Sequence, residues 1–336
     1  MSGPLRHIAV VGAGRMGEGI ALAFAQAGLQ VSLIDLKERA AQADYFQAIE
    51  RNLKAQADSL VALELIGSVQ AQQLLARIRL LGPQAGGQAL AGCGLVFEAV
   101  PEVLAAKREA LAWIDRHVAA DSIIASTTST FLVTELAHMV SGPQRMLNAH
   151  WLNPAHLMPL VEVSRSAQTC DTVVAELLAT LQGIGKVAVV CNASPGFIVP
   201  RLQALVMNEA ARMVEEGVAS AEQIDLAVRS GFGLRFSVLG LLEFIDWGGG
   251  DILHHASAYL SQHLGERYQA PQAVLDNMAA GRNGLREGVG FYDYRQVDVP
   301  AYRHGRMAEL MQRVRQAGLA PHFASGLEAL DQPLLL

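Results

Sequence analysis

One run near the N-terminus restricts the fold more than any other. Residues 8–11, Ile-Ala-Val-Val, form a short apolar run, the mark of a buried strand. Gly12, Gly14 and Gly17 follow at GxGxxG spacing, and residues 20–24, Ile-Ala-Leu-Ala-Phe, continue as a helix of small and apolar residues. Gly12 allows a sharp turn off the strand, Gly14 lets backbone approach a pyrophosphate, and Gly17 lets the helix press onto the sheet. The helix N-terminus then offers free N–H groups and a positive dipole end to phosphates. A second strand, 31–35, ends in Asp35, which can accept from a ribose 2′-hydroxyl and repels a 2′-phosphate. This context predicts a dinucleotide site and favours NAD over NADP. Arg15 and Met16, inside the glycine loop, belong to the same expected contact set.

A chain of 336 residues has room for two domains with large cores. A hydrophobic fraction of 51% against 17% charged residues marks a globular protein, and a net charge of −6 argues against nucleic acid as a partner. No uninterrupted apolar run approaches a membrane span, and the chain enters its first strand with no signal segment. Cys93, Cys170 and Cys191 are too few and too scattered for a disulfide framework or a zinc site, and read as small buried hydrophobes. The expectation is a soluble, cytoplasmic protein with no metal site.

The first half alternates strand and helix, which predicts a doubly wound, mostly parallel α/β sheet of the Rossmann type. Strands are expected over 7–12, 31–35, 78–82, 95–100, 122–127, 146–151, 160–165 and 186–191. The long helical stretch at about 39–77 exceeds what a crossover needs and predicts a projecting helical hairpin. Residues 192–197, Asn-Ala-Ser-Pro-Gly-Phe, form a turn-rich hinge. Beyond it the pattern is helical, over 201–216, 221–228, 239–244, 252–264, 271–280 and 301–317. The expected division is a nucleotide-binding domain over 1–191 and a smaller all-helical substrate and dimerisation domain over 192–330. The last residues, 331–336, read as frayed. The apolar second domain predicts a homodimer.

His150 sits at the end of an apolar strand, where such sheets deliver residues to their ligand crevice. Glu162 lies between Val161 and Val163 in another apolar strand, and a carboxylate there is costly unless paired. A His–Glu pair resolves this: the carboxylate orients the imidazole and stabilises the imidazolium formed on proton abstraction. Such a base removes a hydroxyl proton while hydride leaves for a nicotinamide. Taken singly, each residue also fits a structural role. The hydroxyls of 126–130, Ser-Thr-Thr-Ser-Thr, fit ligand binding and helix capping equally well.

Six segments together resemble the L-3-hydroxyacyl-CoA dehydrogenase family, from about residue 5 to 295. They are the glycine loop, Phe97-Glu-Ala-Val-Pro-Glu102, the hydroxyl run 126–130, His150-Trp-Leu-Asn-Pro154 with Leu160-Val-Glu-Val163, Ser194-Pro-Gly-Phe-Ile-Val199, and Gly288-Val-Gly-Phe-Tyr292. The resemblance implies His150 as catalytic base with Glu162 as its partner, and Ser129 and Asn153 as substrate-orienting groups. It places Glu98, Ala99, Val100, Glu102 and Lys107 at the cofactor, and implies NAD-dependent oxidation at carbon 3 of a hydroxy acid or acyl-CoA, as in fatty acid metabolism.

Several positions depart from the family pattern. Thr127 stands where an asparagine is usual, and Pro200 replaces the asparagine that often follows Gly-Phe-Ile-Val. Proline fits a first helical turn, and Asn208, two turns on, is a candidate to compensate. Residues 231–243 lack the usual Met-Gly-Pro turn and resemble the branch containing L-gulonate 3-dehydrogenase and lambda-crystallin. Arg235, in this run, either clamps a substrate carboxylate or pairs with Glu243 or Asp246. Trp247 either walls the substrate pocket or packs at an interhelical turn beside Asp251, a capping candidate. His254, His255 and His263 read as solvated surface.

In acyl-CoA enzymes the hairpin carries lysines that meet the cofactor's phosphates. Residues 39–79 here hold five basic residues against four acidic ones, so the arm attracts coenzyme A weakly. The balance leans towards a free 3-hydroxy acid, with a short 3-hydroxyacyl-CoA as the alternative. A non-catalytic crystallin-like NAD-binding protein is the rival from another class, and the retained His150–Glu162 pair argues against it. The hydroxyacid dehydrogenases that use a catalytic lysine are disfavoured by the His-x-x-Asn-Pro motif.

Overall fold

The computed structural model describes residues 7–320, so the fraying expected of 331–336 lies outside the described residues. The chain divides into two units, Met1–Met207 and Asn208–Leu336. The division falls within a helix that starts just past the hinge of 192–197, not at the hinge itself.

The first unit is built on eight strands: β1 His7–Val11, β2 Gln30–Ile34, β3 Ile78–Leu81, β4 Leu95–Glu98, β5 Ile123–Ser126, β6 Met146–Trp151, β7 Leu160–Arg165 and β8 Val187–Asn192. Each expected strand forms, its ends shifted by a residue or two at most. Their order is β3-β2-β1-β4-β5-β6-β7-β8. Neighbours run parallel except β6 and β7, which are antiparallel. Between and after the strands lie α1 Arg15–Gln26, α2 Gln42–Ala62, α3 Ser68–Leu75, α4 Pro83–Leu90, α5 Leu104–His117, α6 Val133–Leu136 and α7 Asp171–Gly183.

Alternate residues along each central strand feed opposite faces of the sheet. Ile8 and Val10 join α1, the α2–α3 hairpin and α7 in one core, whereas Ala9 and Val11 join α4, α5 and α6 in the other. A Cβ on Gly17 would meet the Gly12 carbonyl oxygen at 1.9 Å, so only glycine lets α1 seat this closely on the turn. The hairpin exists as expected, but it does not simply project. Ile49, Leu53, Ala57 and Leu60 form a buried stripe on α2. Asn52 and Gln56 donate to the carboxylate of Glu18 on α1, at 3.3 and 3.0 Å. Burial raises the Glu18 carboxyl above the usual range, and these two amides offset part of that cost.

Past the hinge the chain is helical: α8 Val199–Glu215, α9 Ala221–Ala227, α10 Gly233–Phe236, α11 Leu241–Gly248, α12 Gly250–Leu264, α13 Gln272–Ala279 and α14 Val299–Gln316. Pro200 sits in the first turn of α8, as its missing N–H allows. A π-helical stretch, Val228–Phe232, joins α9 to α10. Asp246 on α11 accepts from the backbone N–H groups of Phe291 and Tyr292, both at 2.9 Å. A Cβ on Gly290 would lie 2.1 Å from the Asp246 Oδ1. The glycines of the 288–292 motif therefore let a loop close over a buried carboxylate.

Candidate active site

The strand order reverses between β1 and β4, and the crevice beyond their C-terminal ends is where open parallel sheets bind ligands. A cavity of about 710 Å³ opens there. The turn after β1 contributes Gly12, Gly14, Arg15 and Met16; the end of β2 contributes Asp35; the loop after β4 contributes Ala99, Val100 and Glu102. Gly12 adopts φ +116°, and a Cβ there would meet the Ala99 carbonyl oxygen at 2.4 Å. A Cβ on Gly14 would meet nothing within 4 Å, so the space beside that backbone is open to a ligand. This cradle, with the N-terminus of α1 and an acid at the end of β2, fits a dinucleotide.

Three expected cofactor residues, Gly17, Glu98 and Lys107, stand behind the wall instead. Gly17 is buried against Gly12. Lys107 is fully buried, and its Nζ donates to Glu98 Oε1 and Oε2 at 3.1 and 3.2 Å and lies 3.2 Å from Glu102. Its place among the cofactor contacts is therefore corrected: Lys107 braces the wall from inside, its buried ammonium compensated by two carboxylates. Glu98 also accepts from the Val100 N–H and the Ser126 hydroxyl. Glu102 accepts from the Thr128 hydroxyl and the Thr130 N–H; burial works to raise its carboxyl, but the Thr128 hydrogen bond, Lys107 and the Thr130 N–H together hold it below the usual range. The hydroxyl run thus splits by parity. Ser126 and Thr128 are buried in this network, whereas Thr127 and Ser129 line the cavity.

His150 and Glu162 stand directly opposite one another across the antiparallel β6–β7 pair. The His150 Nδ1 lies 2.8 Å from Glu162 Oε2, and both side chains are buried. Glu162 Oε1 accepts from the N–H groups of Ile198 and Val199, each at 2.8 Å, at the start of α8. The ring of Phe197 stacks on the imidazole, with centroids 5.1 Å apart and planes 9° from parallel. Phe197 holds φ +47°, a conformation uncommon for a side-chain-bearing residue. All three lie in the 194–199 motif, but their role is not legible there, because they sit some 35 residues from Glu162 and act through backbone and ring face. Ser129 lines the dinucleotide cavity, and Asn153 is exposed on the loop after β6. That loop is tied down by Lys186, whose Nζ donates to the carbonyls of Ala155 and Met158 at 2.8 Å each.

Arg235 and Trp247 belong to the second unit. The pairing considered between Arg235 and Glu243 or Asp246 does not form. Glu243 accepts from Arg306 Nε at 2.8 Å and from the Tyr302 hydroxyl, and Asp246 is held by backbone. Arg235 is exposed, its guanidinium 4.8 Å from the Phe244 ring centroid, with no carboxylate partner among the described residues. Trp247 is half-buried beside Tyr302 and Arg303. Asp251 lies in the first turn of α12 and holds Arg286 at 2.7 Å. Asn208 is exposed on α8. Cys93 is buried, its thiol pushed up to about 12, but Cys170 is exposed and Cys191 half-buried, so the buried-hydrophobe reading holds for Cys93 alone.

Two family models match the chain, one after the other. The family model for the 3-hydroxyacyl-CoA dehydrogenase NAD-binding domain matches residues 7–194, and that for the C-terminal domain of the same enzymes matches 196–294. A 5-formyl-3-hydroxy-2-methylpyridine 4-carboxylate 5-dehydrogenase of Mesorhizobium japonicum is 31% identical over 91% of this chain and 96% of its own. A probable 3-hydroxybutyryl-CoA dehydrogenase of Bacillus subtilis is 33% identical over 87% of this chain and 98% of its own. The crystal structure of a 3-hydroxyacyl-CoA dehydrogenase from Archaeoglobus fulgidus superposes with a TM-score of 0.75 at 31% identity, covering 94% of this chain and 99% of that one.

Proposed function

The chain belongs to the 3-hydroxyacyl-CoA dehydrogenase family and is an NAD-dependent enzyme acting on a CH–OH group, and from that premise we propose that it oxidises a free L-3-hydroxy acid to the 3-oxo acid, reversibly. The observation that carries the chemistry is the His150–Glu162 contact of 2.8 Å. With Nδ1 turned to the carboxylate, Nε2 is left to take the proton of the substrate hydroxyl. Glu162 fixes the ring and stabilises the imidazolium, and its other oxygen is held by two backbone N–H groups, so the carboxylate cannot swing away. Ser129 and Asn153 orient the substrate oxygen. Gly12, Gly14, Arg15, Met16, Asp35, Ala99, Val100 and Glu102 hold the dinucleotide. Bound NAD supplies the hydride acceptor at carbon 4 of its nicotinamide.

The preference for a free acid rests on charge. Among the arm's basic residues, Arg39 borders the dinucleotide cavity, Lys54 pairs with Asp58, and Arg77 donates to the Ala25 carbonyl, so Arg51 and Arg79 are the two without such a commitment among the described residues. That leaves little positive charge for the phosphates of coenzyme A. Arg235, with no carboxylate partner among the described residues, is available for a substrate carboxylate. The Mesorhizobium relative is itself named for a carboxylate substrate that is not a thioester. A short 3-hydroxyacyl-CoA is the second reading, favoured by the name of the Bacillus relative. Following NADH oxidation with acetoacetyl-CoA against a panel of free 3-oxo acids separates the two. Arg235→Met should abolish free-acid turnover selectively, and equal loss on both substrate types would reject the clamp.

We assign residues 1–191 to nucleotide binding and 192–330 to substrate binding and dimerisation, in a cytoplasmic homodimer. Val218, Phe232, Leu241, Leu242 and Ile252 are large apolar side chains exposed on the second unit, and a partner copy would cover them. Light scattering should give twice the chain mass, and a monomeric mass would end the dimer reading.

A further inference from the structure

Asp35 alone predicts exclusion of a 2′-phosphate, but the structure sets a cation beside it. Arg39 Nε donates to Asp35 Oδ2 at 2.8 Å. The guanidinium carbon of Arg39 lies 3.7 Å from the Tyr45 ring centroid, a stacking distance, and the Tyr45 hydroxyl reaches the Ala13 carbonyl in the glycine turn at 3.5 Å. The three side chains therefore form a small built unit: carboxylate, guanidinium, ring. Asp35, Lys37, Arg39 and Tyr45 all border the same cavity as Gly12 and Gly14. Arg39 meets no other carboxylate, and Lys37 none, among the described residues. One anion at this end of the cavity is thus accompanied by two cations.

A carboxylate discriminates against a phosphate by charge repulsion, and a paired cation removes most of that repulsion. The Nε of Arg39 is committed to Asp35, while its terminal nitrogens make no hydrogen bond to a described carboxylate. A guanidinium fixed by one edge and one face still offers a second edge, the geometry that binds phosphate with two hydrogen bonds.

We propose that Asp35 and Arg39 read the ribose 2′-position as a couple, so that the enzyme takes NADP(H) as a second dinucleotide cofactor, with Arg39 meeting the 2′-phosphate. This rests on the reading of the cavity as the dinucleotide site. With a 2′-hydroxyl, Asp35 Oδ1 accepts the hydrogen bond and Arg39 steadies the carboxylate. With a 2′-phosphate, Arg39 supplies the contact that Asp35 cannot.

Titration of the full-length protein with NADH and with NADPH, read by nucleotide fluorescence, tests the couple without a substrate. Both should bind, NADPH about 10- to 100-fold more weakly, the span of one charge-assisted contact against one retained repulsion. In Arg39→Gln the ratio of the NADPH to the NADH dissociation constant should rise about tenfold or more. Arg39→Lys, which keeps the charge but not the fork, should raise it less. An unchanged ratio in Arg39→Gln would overturn the proposal, as would wild-type protein that binds NADH but shows no NADPH binding at millimolar concentration. Failure to bind NADH at all would instead reject the cavity as the dinucleotide site.

Discussion

His150 carries the proton-transfer assignment, and its surroundings set what a substitution should do. It is ringed by Glu162 at Nδ1 and by the Phe197 face, so a glutamine of similar size keeps the hydrogen bond to the carboxylate but supplies no base. His150→Gln should cut turnover by a factor on the order of 10²–10⁴ while leaving NADH affinity unchanged. Steady-state kinetics beside a nucleotide titration checks this, and unaltered turnover would remove His150 from the chemistry. The residues that the sequence could not point to share one trait: their role depends on a neighbour far away in the chain. Lys107 is singled out in the sequence, but for the cofactor; its bracing role emerges only when Glu98 and Glu102 are seen closing on it. Arg39 counts only as arm charge until its stacking on Tyr45 is seen.

The strand–turn–helix element behaves differently, because its constraints are local. Gly14 and Gly17 look alike in sequence, yet one guards empty space and the other a backbone contact. Gly17→Ala should lower the Tm by roughly 6 °C or more, since the Gly12 carbonyl cannot move aside without opening the turn. Gly14→Ala should leave the Tm within about 2 °C and raise the NADH dissociation constant about tenfold or more, because the methyl enters the space beside the pyrophosphate. Thermal melts with nucleotide titrations separate the two, and equal loss of stability in both would contradict the geometry. Elements were legible for the same local reason. Eight short apolar runs bounded by turn residues became eight strands. The reversal of β7 was not legible, because its apolar run reads the same in either direction. Nor was the seating of the α2 hairpin on α1, which depends on the distant Glu18.

For the whole molecule, pH acts on stability through two half-buried histidines. Burial pushes His7 below its ordinary value, with Arg79 adding, and burial pushes His156 down likewise, with Lys186 adding. The folded state keeps both rings neutral, while the unfolded chain takes up a proton at about pH 6.5. Their contribution is therefore present above about pH 6.5 and is lost as pH falls through the lower folded values. The Tm should drop as the pH falls below about 6.5. The drop should be shallower in His156→Gln than in the wild type, and parallel curves would refute the assignment. A last consequence concerns how such enzymes exchange parts. The Glu162 carboxylate, proposed as the partner of the base, is held by N–H groups of residues 198 and 199, past the hinge and past the seam where the two family models meet. A chimaera joined at that seam would import a foreign α8 start against its own Glu162. Substrate range should therefore be graftable between relatives only with a junction downstream of Val199, so that the His150–Glu162 pair travels with its own clasp.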